Sequence, residues 1–195
     1  MSLKRSAISL LEIGEVNRET LLQLKNDLED HFNKYDFRVQ IDSRTLTLEP
    51  DEFNPMKGQY DGSLIMDRLI ELVDLDGYFR TLGITEEDLF TEGLNFIFGL
   101  AMKPQGNLFK YSGAALISVA RLRESFYGKR EDVSLFRTRA LKEAMHELGH
   151  TFDLDHCRNY CVMRFSNTLG ETDAKPATYC ESCHQKLSRF LSSVR

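Results

Sequence analysis

The chain has no basic excess. Its 195 residues hold 25 Lys and Arg against 30 Asp and Glu, a formal net charge of −5 at pH 7. A protein that tracks a phosphate backbone needs a surplus of cations, so nucleic acid is not an expected partner. Long apolar runs are missing as well. No stretch approaches the ~20 residues of a membrane span, so no membrane partner is expected. The N-terminus, MSLKRSAISLLEIG, has Lys4 and Arg5, but its apolar run Ser6–Leu11 meets Glu12 early. That run is shorter than the roughly 7–15 residues of a signal h-region, and no small-residue cleavage site follows. There is no internal repeat and no low-complexity segment, and no cysteine precedes Cys157, so a thiol switch onto a metal from the N-terminal end is not expected. These absences describe a cytoplasmic protein with reduced thiols, in which four cysteines suggest metal before disulfide.

The apolar content, 42%, is ordinary for a globular fold with its own core. The length suits one domain, or one domain with a small appendage. Ser6–Ile13 reads as a buried strand. Asn17–Tyr35 reads as a helix capped by Asn17, and Phe37–Leu48 as a half-buried strand. Ser63–Leu75 carries helical spacing. Tyr78–Ile84, Asn95–Met102 and Ala114–Val119 read as strands, and the polar, turn-rich Lys103–Gly113 as a loop. Strands alternating with helices predict the α/β class.

The sharpest helix is Ser134–Phe152. Leu141, Ala144, Leu148 and Phe152 share one side, and His146 and His150 fall about 180° away. Glu143 shares the histidine face and Glu147 flanks it. Beyond this helix the chain turns polar and irregular through Asp153–Tyr179, and Cys180–Val194 reads as a closing helix. Residues 1–156 are therefore expected as an α/β body and 157–195 as a small C-terminal subdomain of a single domain.

The rare ligating residues crowd into AMHELGHTFDLDHCRNYCVM, Ala144–Met163, which holds three of five histidines and two of four cysteines. Two imidazoles four apart on a helix lie side by side, ~5–6 Å between Cβ atoms, and suit one ion. A catalytic zinc takes three protein ligands and keeps one open position, which points to His146, His150 and His156. Glu147 beside them can take a proton from a water on the metal and hand it to a leaving amine. His156 reaches that ion only if the helix stops just after Phe152. The reversal needs a left-handed residue, ordinarily Gly, and here Asp153 stands in that place at a cost of roughly 1 kcal/mol. Asp153 is thus expected at positive φ, bonded to the local backbone. On the bland reading these are surface histidines of an amphipathic helix.

Cys157, Cys161, Cys180 and Cys183 read C-x3-C, an 18-residue loop, then C-x2-C. Two short pairs across a loop form a tetrahedral zinc pattern, here a closed structural site. CESCH also matches the c-type haem signature, but that reading needs export and leaves two cysteines unexplained. His184 and His31 read as surface residues.

HELGHTFDLDH with a nearby Met resembles the metzincin clan of zinc peptidases, with Asp153 where that pattern has Gly. The cysteine after the third His, the Cys161-Val-Met163 unit and the later C-x-x-C are similar to the archaemetzincins, as are DLFTEGLNFIFGLA (Asp88–Ala101) and SVARL (Ser118–Leu122). The resemblance implies a metzincin-like mixed twisted sheet with an active-site helix and an irregular C-terminal subdomain closed by a helix. It implies two zinc ions, one catalytic on the three histidines and one structural on the four cysteines. It makes Glu147 the general base and acid and Met163 an apolar floor under the metal. It also implies a peptide lying along an edge strand, either Asn95–Met102 or Ala114–Val119. The expected function is a zinc-dependent peptidase acting on a peptide or protein. The alternatives are a metal-containing peptide-binding module with little or no turnover and a zinc-ribbon nucleic-acid binder. The sequence sets no oligomeric state.

Overall fold

The computed structural model describes residues 7–103 and 112–194, and the backbone only of 74–76. Eight strands are present among them: β1 Ala7–Ile13, β2 Arg38–Leu46, β3 Phe53–Asn54, β4 Gln59–Asp61, β5 Arg80–Thr85, β6 Leu89–Phe90, β7 Gly99–Ala101 and β8 Ala114–Ser118. The helices are α1 Arg18–Phe32, α2 Gly62–Asp76, α3 Val133–Thr151, α4 Leu169–Ala174 and α5 Glu181–Val194. Five strands form a mixed sheet in the order β2-β1-β5-β8-β7. The pairs β2–β1, β1–β5 and β5–β8 are parallel, and β7 runs antiparallel to β8 at the edge.

Parallel strands need both faces covered. On one face α2 lays Ile65, Leu69 and Val73 against Leu11, Ile13, Leu46 and Leu116. On the other, α1, α3 and α5 pack Leu21, Leu28, Ala144, Leu148 and Leu187 against Ile8, Leu10, Leu82, Ile84 and Ile117. This explains why β1 is buried almost throughout instead of alternating. Val162, Met163 and Leu191 belong to the same core as α1 and α3, so the C-terminal segment shares the body's apolar interior.

The expected α/β architecture is present. Asn17 caps α1 through its side-chain oxygen, which accepts from the Glu19 and Thr20 amides. The strand expected at Asn95–Met102 is regular only over Gly99–Ala101; before it lie a lone bridge at Ile97 and a bond from Ser118 N–H to the Phe98 carbonyl. Of the expected loop Lys103–Gly113, residues 104–111 lie outside the described residues. A second, three-stranded sheet, β3-β4-β6, was not anticipated.

Candidate metal and peptide-cleavage site

Asp132 starts α3 by accepting the Leu135 amide hydrogen, and the helix then runs to Thr151. From Arg139 to Thr151 every residue is buried, the polar ones included. The histidine face is therefore no surface face. It forms the floor of a cleft of about 500 Å³, which is also lined by β7, by the chain before it and by the segment after Met163.

The end of α3 decides where the third histidine goes. Asp153 sits at φ 66°, the left-handed region. Its N–H donates to the His150 carbonyl at 3.0 Å, and Leu154 N–H donates to the Gly149 carbonyl at 3.1 Å. These paired bonds satisfy the last carbonyls of a helix while the chain reverses. The expected conformation of Asp153 is present; the main chain holds the turn, and the side chain points into solvent. The reversal returns His156 to the pair on α3. Its ring centroid lies 5.3 Å from that of His146 and 4.9 Å from that of His150.

His146 Nδ1 is 2.9 Å from the Val162 carbonyl, and His150 Nδ1 is 2.7 Å from the Leu154 carbonyl. A carbonyl only accepts, so each Nδ1 carries the hydrogen and each Nε2 presents a lone pair. The two Nε2 atoms stand 3.2 Å apart. Two bare lone pairs at that distance repel unless a cation lies between them. Tetrahedral zinc bonds of about 2.0–2.1 Å put two nitrogens roughly 3.3 Å apart, so the arrangement fits that ion. The nitrogens of all three rings fall within 4.8 Å of one another. Burial pushes His146 down to about 2 and His150 down to about 4, and it lowers His156 as well. Neutral imidazoles are what a metal needs.

Glu147 lines the cleft beside the rings, and burial pushes its carboxyl up to about 8, with the neighbouring Glu143 adding to the shift. The edge strand comes very close here. A Cβ placed on Gly99 would stand 2.5 Å from Glu147 Cγ, so only glycine leaves room for this carboxylate. Of the two candidate edges, β7 is the edge strand and β8 is interior. Met163 is fully buried beneath α3, where a Cβ on Gly149 would meet its Sδ at 2.3 Å. The glycine inside HELGH is thus the imprint of Met163. Tyr179 donates its hydroxyl to the Met145 carbonyl at 2.6 Å.

The four cysteines converge separately. They are free thiols whose sulfurs all lie within 4.8 Å of one another, with Cys157 and Cys180 at 3.7 Å. Zinc–sulfur bonds of ~2.3 Å in a tetrahedron set sulfurs roughly 3.8 Å apart, so this set also fits its ion. Burial raises Cys161 and Cys183. At Cys180 burial pushes the same way, but hydrogen bonds from Cys183 N–H, Asn159 and the adjoining thiols outweigh it and bring the thiol down to about 6. The expected surface position of His184 needs correction. Its ring is half-buried, hydrogen-bonded to the Tyr35 hydroxyl at 2.9 Å and edge-on to that ring. His31, also half-buried, bonds the Asp27 carbonyl of its own helix.

The model of peptidase family M54 matches residues 26–189. The chain belongs to peptidase family M54, the archaemetzincins, a family of zinc metallopeptidases. It is 39% identical to the archaemetzincin of Pyrococcus furiosus over 189 residues, covering 96% of this chain and 95% of that one. The crystal structure of archaemetzincin from Methanopyrus kandleri superposes with a TM-score of 0.80 at 33% identity, over 96% of this chain and 97% of that one. A zinc-dependent peptidase from Methanocorpusculum labreanum superposes at 0.74 and 26% identity, over 92% and 99%. The histidines and cysteines that could hold metal stand out in the sequence, and the residues around them do not. Lys175 and the segment Phe165–Asn167 line the cleft outside any motif, and Gly99 lines it within Asp88–Ala101, where nothing local marks its contact with Glu147.

Proposed function

We propose that this chain hydrolyses peptide bonds, with His146, His150 and His156 holding a catalytic zinc and Cys157, Cys161, Cys180 and Cys183 a structural one. Zinc in the first site supplies Lewis-acid polarisation of the scissile carbonyl and a water that ionises near neutral pH. The observation that carries this reading is the pair of Nε2 lone pairs 3.2 Å apart, with both Nδ1 hydrogens already committed to carbonyls.

The chain's own groups do the rest. Among the described residues β7 is the edge of the sheet, so an extended peptide can lie along it through backbone hydrogen bonds of little sequence preference. Glu147, pressed against that strand at Gly99, takes the proton of the attacking water and passes it to the departing amine. Met163 and Gly149 fix the height of α3 under the rings. In domain terms, we read residues up to about 156 as the catalytic body and the rest as a zinc-clamped subdomain, in keeping with the metzincin pattern. A reducing, cytoplasmic setting would keep the four thiols available.

The test is Glu147→Gln. The variant should retain two zinc atoms per chain by elemental analysis and lose peptide hydrolysis by roughly 10²–10⁴-fold. Digests of a peptide mixture, with and without chelator, separate turnover from mere peptide binding. Cleavage by the variant at the native rate rules out the assigned role.

A further inference from the structure

Lys175 is a buried cation in the cleft that the proposed mechanism does not use. Its residue exposure is 2%, yet it lines the same cavity as Glu147 and the three histidines. Its ammonium lies 3.0 Å from Glu143 Oε1, but the approach lacks hydrogen-bond alignment, and Nζ has no hydrogen-bond partner among the described residues. Glu143 is better served, since it also accepts the Thr172 hydroxyl at 3.1 Å. A second shielded donor belongs to another residue that lines the same cavity. Ser166 Oγ is inaccessible and likewise without a partner among the described residues. Buried polar atoms are nearly always hydrogen-bonded, so an ammonium with one ion-pair partner for its three donors and a hydroxyl with none, both on residues lining one cleft, leave room for a further acceptor. The neighbouring cation Lys142 is not available for it, because its Nζ is committed to the Thr172 and Asp173 carbonyls.

Position sets the register. Glu143, the partner of Lys175, stands four residues before Glu147, about 6 Å along α3. An extended peptide advances ~3.3 Å per residue. A group that reaches Lys175 therefore belongs to a residue within about two of the cleaved bond.

We propose that Lys175 Nζ and Ser166 Oγ form a carboxylate-recognising subsite, so that the preferred substrate carries an acidic side chain or a free C-terminal carboxylate within about two residues of the scissile bond. The proposal rests on the peptidase reading for the meaning of the cleft, and its test separates the two. Three short peptides are titrated into zinc-loaded Glu147→Gln protein by calorimetry. One carries Asp at the flanking position with an amidated C-terminus, one has Asn there with the same amide, and one is neutral with a free C-terminal carboxylate. A charge-assisted pair with Lys175 should make one carboxylate-bearing peptide bind roughly ten-fold or more tightly than the Asn peptide. Whichever peptide gains identifies the source of the carboxylate. The gain should vanish on adding Lys175→Met and shrink on adding Ser166→Ala, the milder change should the first variant fail to fold. Equal binding of the three peptides overturns the subsite. So does a preference that survives Lys175→Met, since it would come from the metal, or one that Ser166→Ala leaves whole in a protein where Lys175→Met does not fold. If the acid preference is present but wild-type protein cleaves nothing, the subsite stands and the peptidase reading fails. Cleavage by the wild type with no acid preference in binding fails the subsite alone.

Discussion

Asp153 is one of two non-glycine residues at positive φ among the described residues, and it sits where α3 must end for His156 to return. Asp tolerates this region better than most residues, whereas a β-branched side chain there is a genuine outlier. Asp153→Val should cost roughly 1–3 kcal/mol of stability. It should also weaken retention of the catalytic zinc while the tetrathiolate keeps its ion, so that elemental analysis after mild chelation finds one zinc per chain where the wild type holds two. Gly149 offers a second test at this scale. An added Cβ would stand 2.3 Å from Met163 Sδ, so the methionine or the helix must shift. Gly149→Ala should lower the thermal midpoint, with a cost of about 1–3 kcal/mol for overpacking. Both residues lie in the motif window, but only one of the two reasons can be read there. Asp153 at positive φ follows from the demand that His156 come back. The collision between Gly149 and Met163 is a tertiary contact that no local pattern announces.

α3 is held at its far end by a residue the sequence disguised. Arg80, the first residue of β5, is fully buried. Its guanidinium donates to the Thr151 hydroxyl at 2.9 Å and the Thr151 carbonyl at 2.8 Å, and it lies over the rings of Phe79, Phe152 and Phe190. A cation at the carboxyl end of a helix complements the dipole and fills orphan carbonyls. Burial pulls its pKa down to about 9, so it remains charged at neutral pH. Arg80→Met removes the donor and leaves a buried carbonyl unpaired, at a cost of roughly 1–3 kcal/mol that urea unfolding can measure. Elements with strong periodicity were legible: α1 with its Asn17 cap, α2, α3 and α5, and the strands of the large sheet. The small sheet β3-β4-β6 was not, because strands of two or three residues carry no period and owe their pairing to distant partners. β7 read too long for a related reason. The apolar character of Asn95–Phe98 serves the cleft and the core more than a ladder.

At the scale of the molecule, the C-terminal segment is bound to the body by charge as well as by apolar contact. Arg139 of α3 grips Asp173 with two bonds of 2.7 Å, while also reaching Glu124 and the Leu122 carbonyl. On the proposed ligand sets the two ions should leave in order. His156 is exposed, whereas Cys161 and Cys183 are buried. Dialysis against a chelator should first remove one zinc and all hydrolysis, with far-UV circular dichroism unchanged. Loss of the second ion should follow and lower the thermal midpoint, because a closed zinc site contributes folding free energy directly. The ligand clusters were readable in the sequence because metal chemistry restricts both residue type and spacing. Lys175 and Ser166 were not, since a lone lysine and a lone serine gain meaning only from the cavity that encloses them.

His156 and Cys157 are consecutive residues, their Cα atoms about 3.8 Å apart, yet they face different clusters. On the proposed ligand sets, each cluster anchors one end of the same peptide unit. Peroxide that converted the tetrathiolate to sulfenates or disulfides would slacken the turn that presents the third imidazole. Oxidative stress would then silence the enzyme from a distance, without touching a single group that meets the substrate, and a thiol reductant together with zinc would restore it.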